Sequence, residues 1–261
     1  MQQISTEEWL EPLRRRELIP QDCLAALVVG SAARGWNNAR SDNDVYVIST
    51  RARDTPTSRP IPMPLDPPGV QSETFHEDGR RWEVTYWLDS QIDQLLAKVS
   101  WEAYERDLAG EALTPREEVS LGRMANCLTL LGEDWVEVCG KRLADSAFKS
   151  FLVMRSLNLA DDAVEDALGQ LEDGNQESAT ISARRALGHA VDALLESHGE
   201  FGSHMPKWRP TRLRAVAPEF LTFERYWSLE TMRSYDAADP KPWIREVLGL
   251  CQDISLRVET P

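Results

Sequence analysis

Apolar positions along the chain follow three different spacings, and each predicts a different element. Residues 24–29 form an unbroken apolar run that closes at Gly30. Residues 44–48 form a second run, rich in β-branched and aromatic side chains. Both runs read as buried strands. The segments 72–76 and 80–88 flank Glu77-Asp78-Gly79, and an Asp-Gly pair between strand-like runs predicts a hairpin. Between the second strand and this hairpin, Pro56, Pro60, Pro62, Pro64, Pro67 and Pro68 crowd residues 53–69. Proline at that density predicts an extended loop, read either as a lid or as a mobile surface segment. Near the start, Trp9, Leu10 and Leu13 share a helical face, and Ser5 with Glu8 has the spacing of a capping box. Ser90 is placed to cap a helix through Val99. From about Trp101 only helical spacing remains, over 117–131, 143–159, 179–197 and 243–258. The pattern predicts an α+β chain, with strands and helices in residues 1–112 and an antiparallel helical bundle in 113–261.

Charge narrows the range of functions. The 261 residues hold 29 Lys and Arg against 43 Asp and Glu, for a net charge of −14. That balance argues against general nucleic-acid binding and against adhesion to acidic membranes, both of which depend on cationic side chains. Hydrophobic residues at 42% and charged residues at 28% fit a globular chain. Cys23, Cys127, Cys139 and Cys251 are widely spaced and suggest reduced thiols rather than a zinc site or disulfide framework. With no targeting pattern at the start and no apolar run of roughly 18 residues, the expected location is cytoplasmic. One segment reverses the general charge: residues 201–218 contain no Asp or Glu, yet hold Lys207, Arg209, Arg212 and Arg214.

The chemistry concentrates in residues 30–44. A strand ends at Gly30, where the missing Cβ permits close approach or unusual dihedrals. Ser31 then opens a short helix whose hydroxyl and free N–H groups suit an anion. The chain returns through Gly35 to a strand bearing Asp42 and Asp44, two carboxylates on one face. Adjacent carboxylates repel, and a cation between them relieves the repulsion. A phosphate cradle beside such a pair suggests a divalent ion holding a nucleoside triphosphate.

The arrangement Gly30-Ser31, Arg34-Gly35 and Ser41-Asp42-x-Asp44 resembles the signature of the DNA polymerase β-like nucleotidyltransferase superfamily, in the form found in stand-alone members such as aminoglycoside nucleotidyltransferases. Asn43 departs from it, standing where an apolar residue commonly separates the aspartates. The resemblance implies a small mixed sheet flanked by helices and a third carboxylate on a neighbouring strand. Glu83, within Arg81-Trp82-Glu83-Val84, is the candidate, and Glu73, Glu77 and Asp78 are its competitors. It further implies two Mg²⁺ ions on Asp42, Asp44 and Glu83, ATP or another nucleoside triphosphate as co-substrate, and transfer of a nucleoside monophosphate to a hydroxyl. Glu83 would double as general base, and Gly30, Ser31 and Ser41 would line the nucleotide site. Arg34 is assigned either a phosphate contact or a buttressing ion pair. Members of this type often carry a Lys-Trp pair in the bundle, which Lys207-Trp208 matches, so Lys207 and Arg209 become candidate phosphate ligands across a cleft.

The expected partners are a nucleoside triphosphate and a small-molecule acceptor, a cationic antibiotic among them, with no membrane and no general nucleic-acid binding. The expected assembly is a monomer or homodimer. Two alternatives remain: a protein- or tRNA-modifying enzyme of the toxin type, and a non-catalytic nucleotide-binding or partner module. Trp36 and Trp87 read as core anchors or as stacking platforms. Arg184 and His189 share the R-x4-H spacing of certain helical ribonucleases, whereas His76, His198 and His204 show no metal-ligand spacing.

Overall fold

The computed structural model describes residues 5–106 and 113–258. It divides into two compact units, Met1–Ala103 with Ala112–Ser146, and Tyr104–Glu111 with Ala147–Pro261. The class is α+β, as the apolar spacing predicts.

The first unit is built on a six-stranded mixed sheet. Helix α1 (Thr6–Arg15) opens with the expected capping box between Ser5 and Glu8. Strand β1 (Cys23–Val29) leads into a four-residue helix, α2 (Gly30–Ala33), and then β2 (Asn43–Ser49). The short β3 (Arg59–Ile61) precedes the hairpin β4 (Val70–Glu77) and β5 (Arg80–Leu88). Its turn residues Asp78 and Gly79 both have positive φ, at 49° and 73°, the geometry an Asp-Gly turn favours. Helices α3 (Asp89–Lys98), α4 (Trp101–Arg106) and α5 (Pro115–Ala125), strand β6 (Leu128–Leu131) and helix α6 (Glu133–Ala144) follow. The strand order is β3-β4-β5-β2-β1-β6. Among the described residues, only the central β2–β5 pair is parallel.

Strand alternation decides what each face does. Val45, Val47, Trp82, Val84 and Tyr86 pack with Trp9, Leu10 and Leu13 of α1. The Trp9 and Trp82 rings meet edge to face at 5.1 Å. Asp44 and Glu83, one position out of phase with these residues, therefore belong to the opposite face.

Three local expectations change. The run 117–131 is not one helix: it breaks after α5, and Leu128–Leu131 pairs with β1 as an edge strand. Residues 113–146, placed by spacing with the bundle, consequently group with the sheet, while the expected boundary at residue 112 lies outside the described residues. Ser90 does not cap α3; the Leu88 N–H instead donates to Gln91 Oε1 at 3.0 Å.

The proline-rich segment is anchored rather than loose. Gln91 Nε2 donates to the carbonyls of Pro67 and Gly69, and Gln94 pairs with both backbone groups of Asp66. Buried Glu73 receives Arg53 Nε at 3.0 Å, Thr55 Oγ1 at 3.1 Å and Thr57 Oγ1 at 2.9 Å. Burial pushes the Glu73 carboxyl up, and these donors outweigh it, holding it below its ordinary value. A depressed carboxyl stabilises the fold above its unfolded pKa, and that contribution disappears as pH falls through the lower folded value. Glu73→Gln is therefore expected to cost about 1 kcal/mol at pH 7. The difference from wild type should shrink below about pH 4, as urea titrations at several pH values would reveal.

The second unit is helical. Helices α7 (Phe148–Glu172) and α8 (Gln176–Ser197) form an antiparallel hairpin, with Gly174 turning the chain at φ 81°. Ala160, Ala163 and Ala167 on α7 and Ala179, Ala183, Ala186 and Ala190 on α8 are buried small residues that let helices approach closely. After a 3-10 turn (Pro206–Trp208) come α9 (Arg209–Val216), α10 (Phe223–Glu230) and α11 (Lys241–Ser255). Helix α11 buries Ile244, Val247, Leu250, Cys251 and Ile254 at helical spacing in the same core.

Candidate active site

The parallel pairing of β2 with β5 puts Asp44 and Glu83 in register as direct neighbours. Across the other edge of β2, Asp44 stands opposite Val29, the residue before Gly30. Gly30 has φ 69°, and a Cβ built on it would lie 2.7 Å from Asp44 Oδ2. The dihedral strains any other residue and an added Cβ would push the carboxylate aside, so the strand-ending glycine also makes room for Asp44. Gly30→Ala is expected to cost about 1–3 kcal/mol in thermal unfolding. Gly35→Ala is the control. Its φ is also positive, at 64°, but the space around it is open, so its loss should be smaller.

Two guanidinium groups serve the three carboxylates. Arg81, two residues before Glu83 on β5, donates Nη1 to Asp42 Oδ2 at 2.9 Å and Nη2 to Glu83 Oε2 at 3.0 Å. Arg123, from α5, reaches Asp44 Oδ2 at 3.5 Å. Burial raises the Asp44 carboxyl above its ordinary value; Arg123 opposes this, while Glu83 and Asp42 reinforce it. The Arg123 guanidinium resists burial and is held protonated by Tyr46 and Asp44.

Two of the competing acids are engaged elsewhere, and Asp78 sits in the β4–β5 turn. Glu73 binds the 53–57 loop, and Glu77 pairs with Arg15 and Arg16 of the N-terminal segment. Glu83 is therefore the acid that shares a sheet face with Asp44. Asn43 is buried on the opposite face, away from the carboxylates, and its Oδ1 has no partner.

Other predicted residues have definite local duties. The Ser41 hydroxyl accepts the Asn38 N–H at 2.9 Å, tightening the turn that delivers Asp42. Arg34 lays its guanidinium over the Trp36 ring at 3.9 Å. Trp87 is fully buried and packs on Tyr46, which makes it a core residue rather than a stacking platform. Arg81 and Arg123 escaped the sequence reading. Strand alternation alone would have placed Arg81 beside Glu83, but nothing local marks Arg123, which arrives from a helix distant in sequence.

In the helical unit the basic run splits into interior and exterior parts. Arg209 donates Nε and Nη2 to Asp192 at 3.1 and 2.6 Å, and Arg212 donates Nη2 to the same carboxylate at 2.7 Å. Arg209, expected at phosphates, thus has two of its donors bound inside the bundle. Lys207 is exposed, with Nζ 5.4 Å from the Trp208 ring centroid. It lines a cavity of about 450 Å³ with Arg184, Tyr226, Trp227 and Glu230. Arg184 pairs with Glu230 at 3.4 Å. Burial and the nearby Arg185, Arg209 and Arg155 lower the His189 pKa against the pull of Asp192.

Among the described residues, no three His, Cys, Asp or Glu side chains are grouped so that they could hold a metal ion as they stand. No helix is long and apolar enough to cross a membrane. Asp44 on β2, Asp42 just before it and Glu83 on the adjacent β5 nonetheless supply hard oxygen donors, the chemistry a divalent ion such as Mg²⁺ takes. The Arg81 fork bridges two of them.

No family model matches this chain, and a search of curated proteins finds no match. Among solved structures, the chain is similar to a nucleotidyltransferase-like protein from Exiguobacterium sibiricum, with 11% identity and a TM-score of 0.47, over 95% of this chain and 73% of that one.

Proposed function

We propose that the chain is a nucleotidyltransferase that moves a nucleoside monophosphate, with ATP as the first candidate donor, onto a hydroxyl of a small molecule and releases pyrophosphate. The observation that carries this reading is the register of Asp44 against Glu83, with Asp42 on the same face and Gly30 closed against Asp44. Asp42, Asp44 and Glu83 would hold Mg²⁺, which supplies positive charge to the triphosphate and lowers the pKa of the attacking hydroxyl. Glu83 would take the acceptor's proton as the acceptor oxygen bonds to the α-phosphorus and the bond to the pyrophosphate oxygen breaks. Gly30 and Ser31, at the turn beside Asp44, would receive the phosphates, and the Asn38–Ser41 turn fixes the approach of Asp42.

In the helical unit, Lys207 keeps an exposed ammonium suited to a phosphate oxygen. The net charge of −14 favours a cationic acceptor, which an acidic surface attracts over several ångströms. The test is to incubate the purified protein with ATP labelled in the α-phosphate, Mg²⁺ and a cell extract, and then to separate small molecules, RNA and protein. Label in the small-molecule fraction, with pyrophosphate release that requires Mg²⁺, is the expected result. Label in RNA or protein would reassign the acceptor, and no transfer to any fraction would remove the transferase reading.

A further inference from the structure

We propose that Arg81 is the resident counter-cation of the carboxylate set and that a divalent ion must displace it, so that metal loading competes with the chain's own guanidinium. The inference rests on the transferase reading above and concerns how that site is regulated.

The geometry is specific to a fork. The two terminal nitrogens of Arg81 reach carboxylates on two different segments, Asp42 at 2.9 Å and Glu83 at 3.0 Å. A planar guanidinium spans two such oxygens at once, and in doing so it neutralises the repulsion between them. Alternation explains its location: Arg81 lies two residues from Glu83 on β5, so both side chains leave the strand on one face.

Charge counting favours exchange. At neutral pH, Asp42, Asp44 and Glu83 against Arg81 and Arg123 leave one excess negative charge. Replacing Arg81 with one divalent ion balances the group while Arg123 stays on Asp44. The exchange is also mechanically easy. The Arg81 side chain is 44% exposed and can turn into solvent without opening the core. Arg123 is only 26% exposed, and its carboxylate partner Asp44 is 18% exposed. The outer guanidinium is thus the one free to leave. Solvent-exposed pairs of this kind are weak enough for an ion to break.

The experiment is a Mn²⁺ titration of the full chain at fixed ionic strength, following free Mn²⁺ by electron paramagnetic resonance. Arg81→Gln removes the competing charge, and its Mn²⁺ affinity is expected to rise about three- to tenfold. Arg81→Lys keeps one charge but cannot fork two carboxylates, so its affinity should fall between wild type and Arg81→Gln. Metal-induced gains in unfolding temperature should follow the same order.

A purely structural arginine would change the metal-free unfolding temperature and leave Mn²⁺ affinity unmoved. Unchanged or weaker binding by Arg81→Gln would therefore overturn displacement, while wild-type binding would leave the transferase reading standing. If neither wild type nor variants bind Mn²⁺, both the displacement and the metal-dependent transferase reading fall. Circular dichroism of both variants separates these outcomes from misfolding.

Discussion

Asp44→Asn is expected to abolish nucleotidyl transfer while the sheet stays folded. Asp44 is held between two strands, opposite Val29 of β1 and Glu83 of β5, and Gly30 is closed against it. Asparagine keeps the shape but loses the charge and half the ligand capacity of a carboxylate. Loss of one charged group at the reacting phosphate is worth on the order of 10³-fold in kcat/KM. Stability should move the other way or not at all, because burial already disfavours the ionised form of Asp44. Pyrophosphate release and thermal unfolding, measured side by side, check both halves. A variant that retains turnover would place the chemistry elsewhere.

Asp192→Ala is expected to be the most destabilising single change in the helical unit. Asp192 and Arg212 are each about 1% exposed, and Arg209 only 11%. Three charges therefore share one interior site, with a single carboxylate serving two guanidinium groups. Removing it strands two buried cations, and breaking a buried pair in this way costs about 3–5 kcal/mol. Lys207→Ala, in the same basic run as Arg209 but exposed, should change stability by no more than about 0.5 kcal/mol. Urea midpoints of the two variants would separate the interior half of the basic run from its exterior half.

Much of this architecture could be read from residue order. Strands β1, β2, β4 and β5 follow from local patterns, and the Asp78-Gly79 turn follows from backbone preference alone. Asp42 and Asp44 stood out because their i, i+2 spacing predicts a shared strand face, and Glu83 because the resemblance implies a third acid on a neighbouring strand. What could not be read was set by distant partners. Strand β6 is four residues with an ordinary apolar pattern, and only β1 makes it a strand. Glu73 looked like a rival ligand until three donors from the proline-rich loop claimed it. Arg209 and Arg212 look like surface cations in a list of residues, and only the burial of Asp192 turns them inward.

The parallel β2–β5 pair also orders the events of folding. Hairpin β4–β5 closes through a two-residue turn and can form within microseconds. Strand β2 cannot join β5 until the intervening chain has looped back, since Asp42 and Arg81 are 39 residues apart. The carboxylates therefore meet only after this loop has closed, later than the hairpin forms. At that moment like charges are driven together, and Arg81 arrives already mounted on the hairpin that receives them. The same guanidinium that guards the finished site would thus have lowered the electrostatic barrier to assembling it.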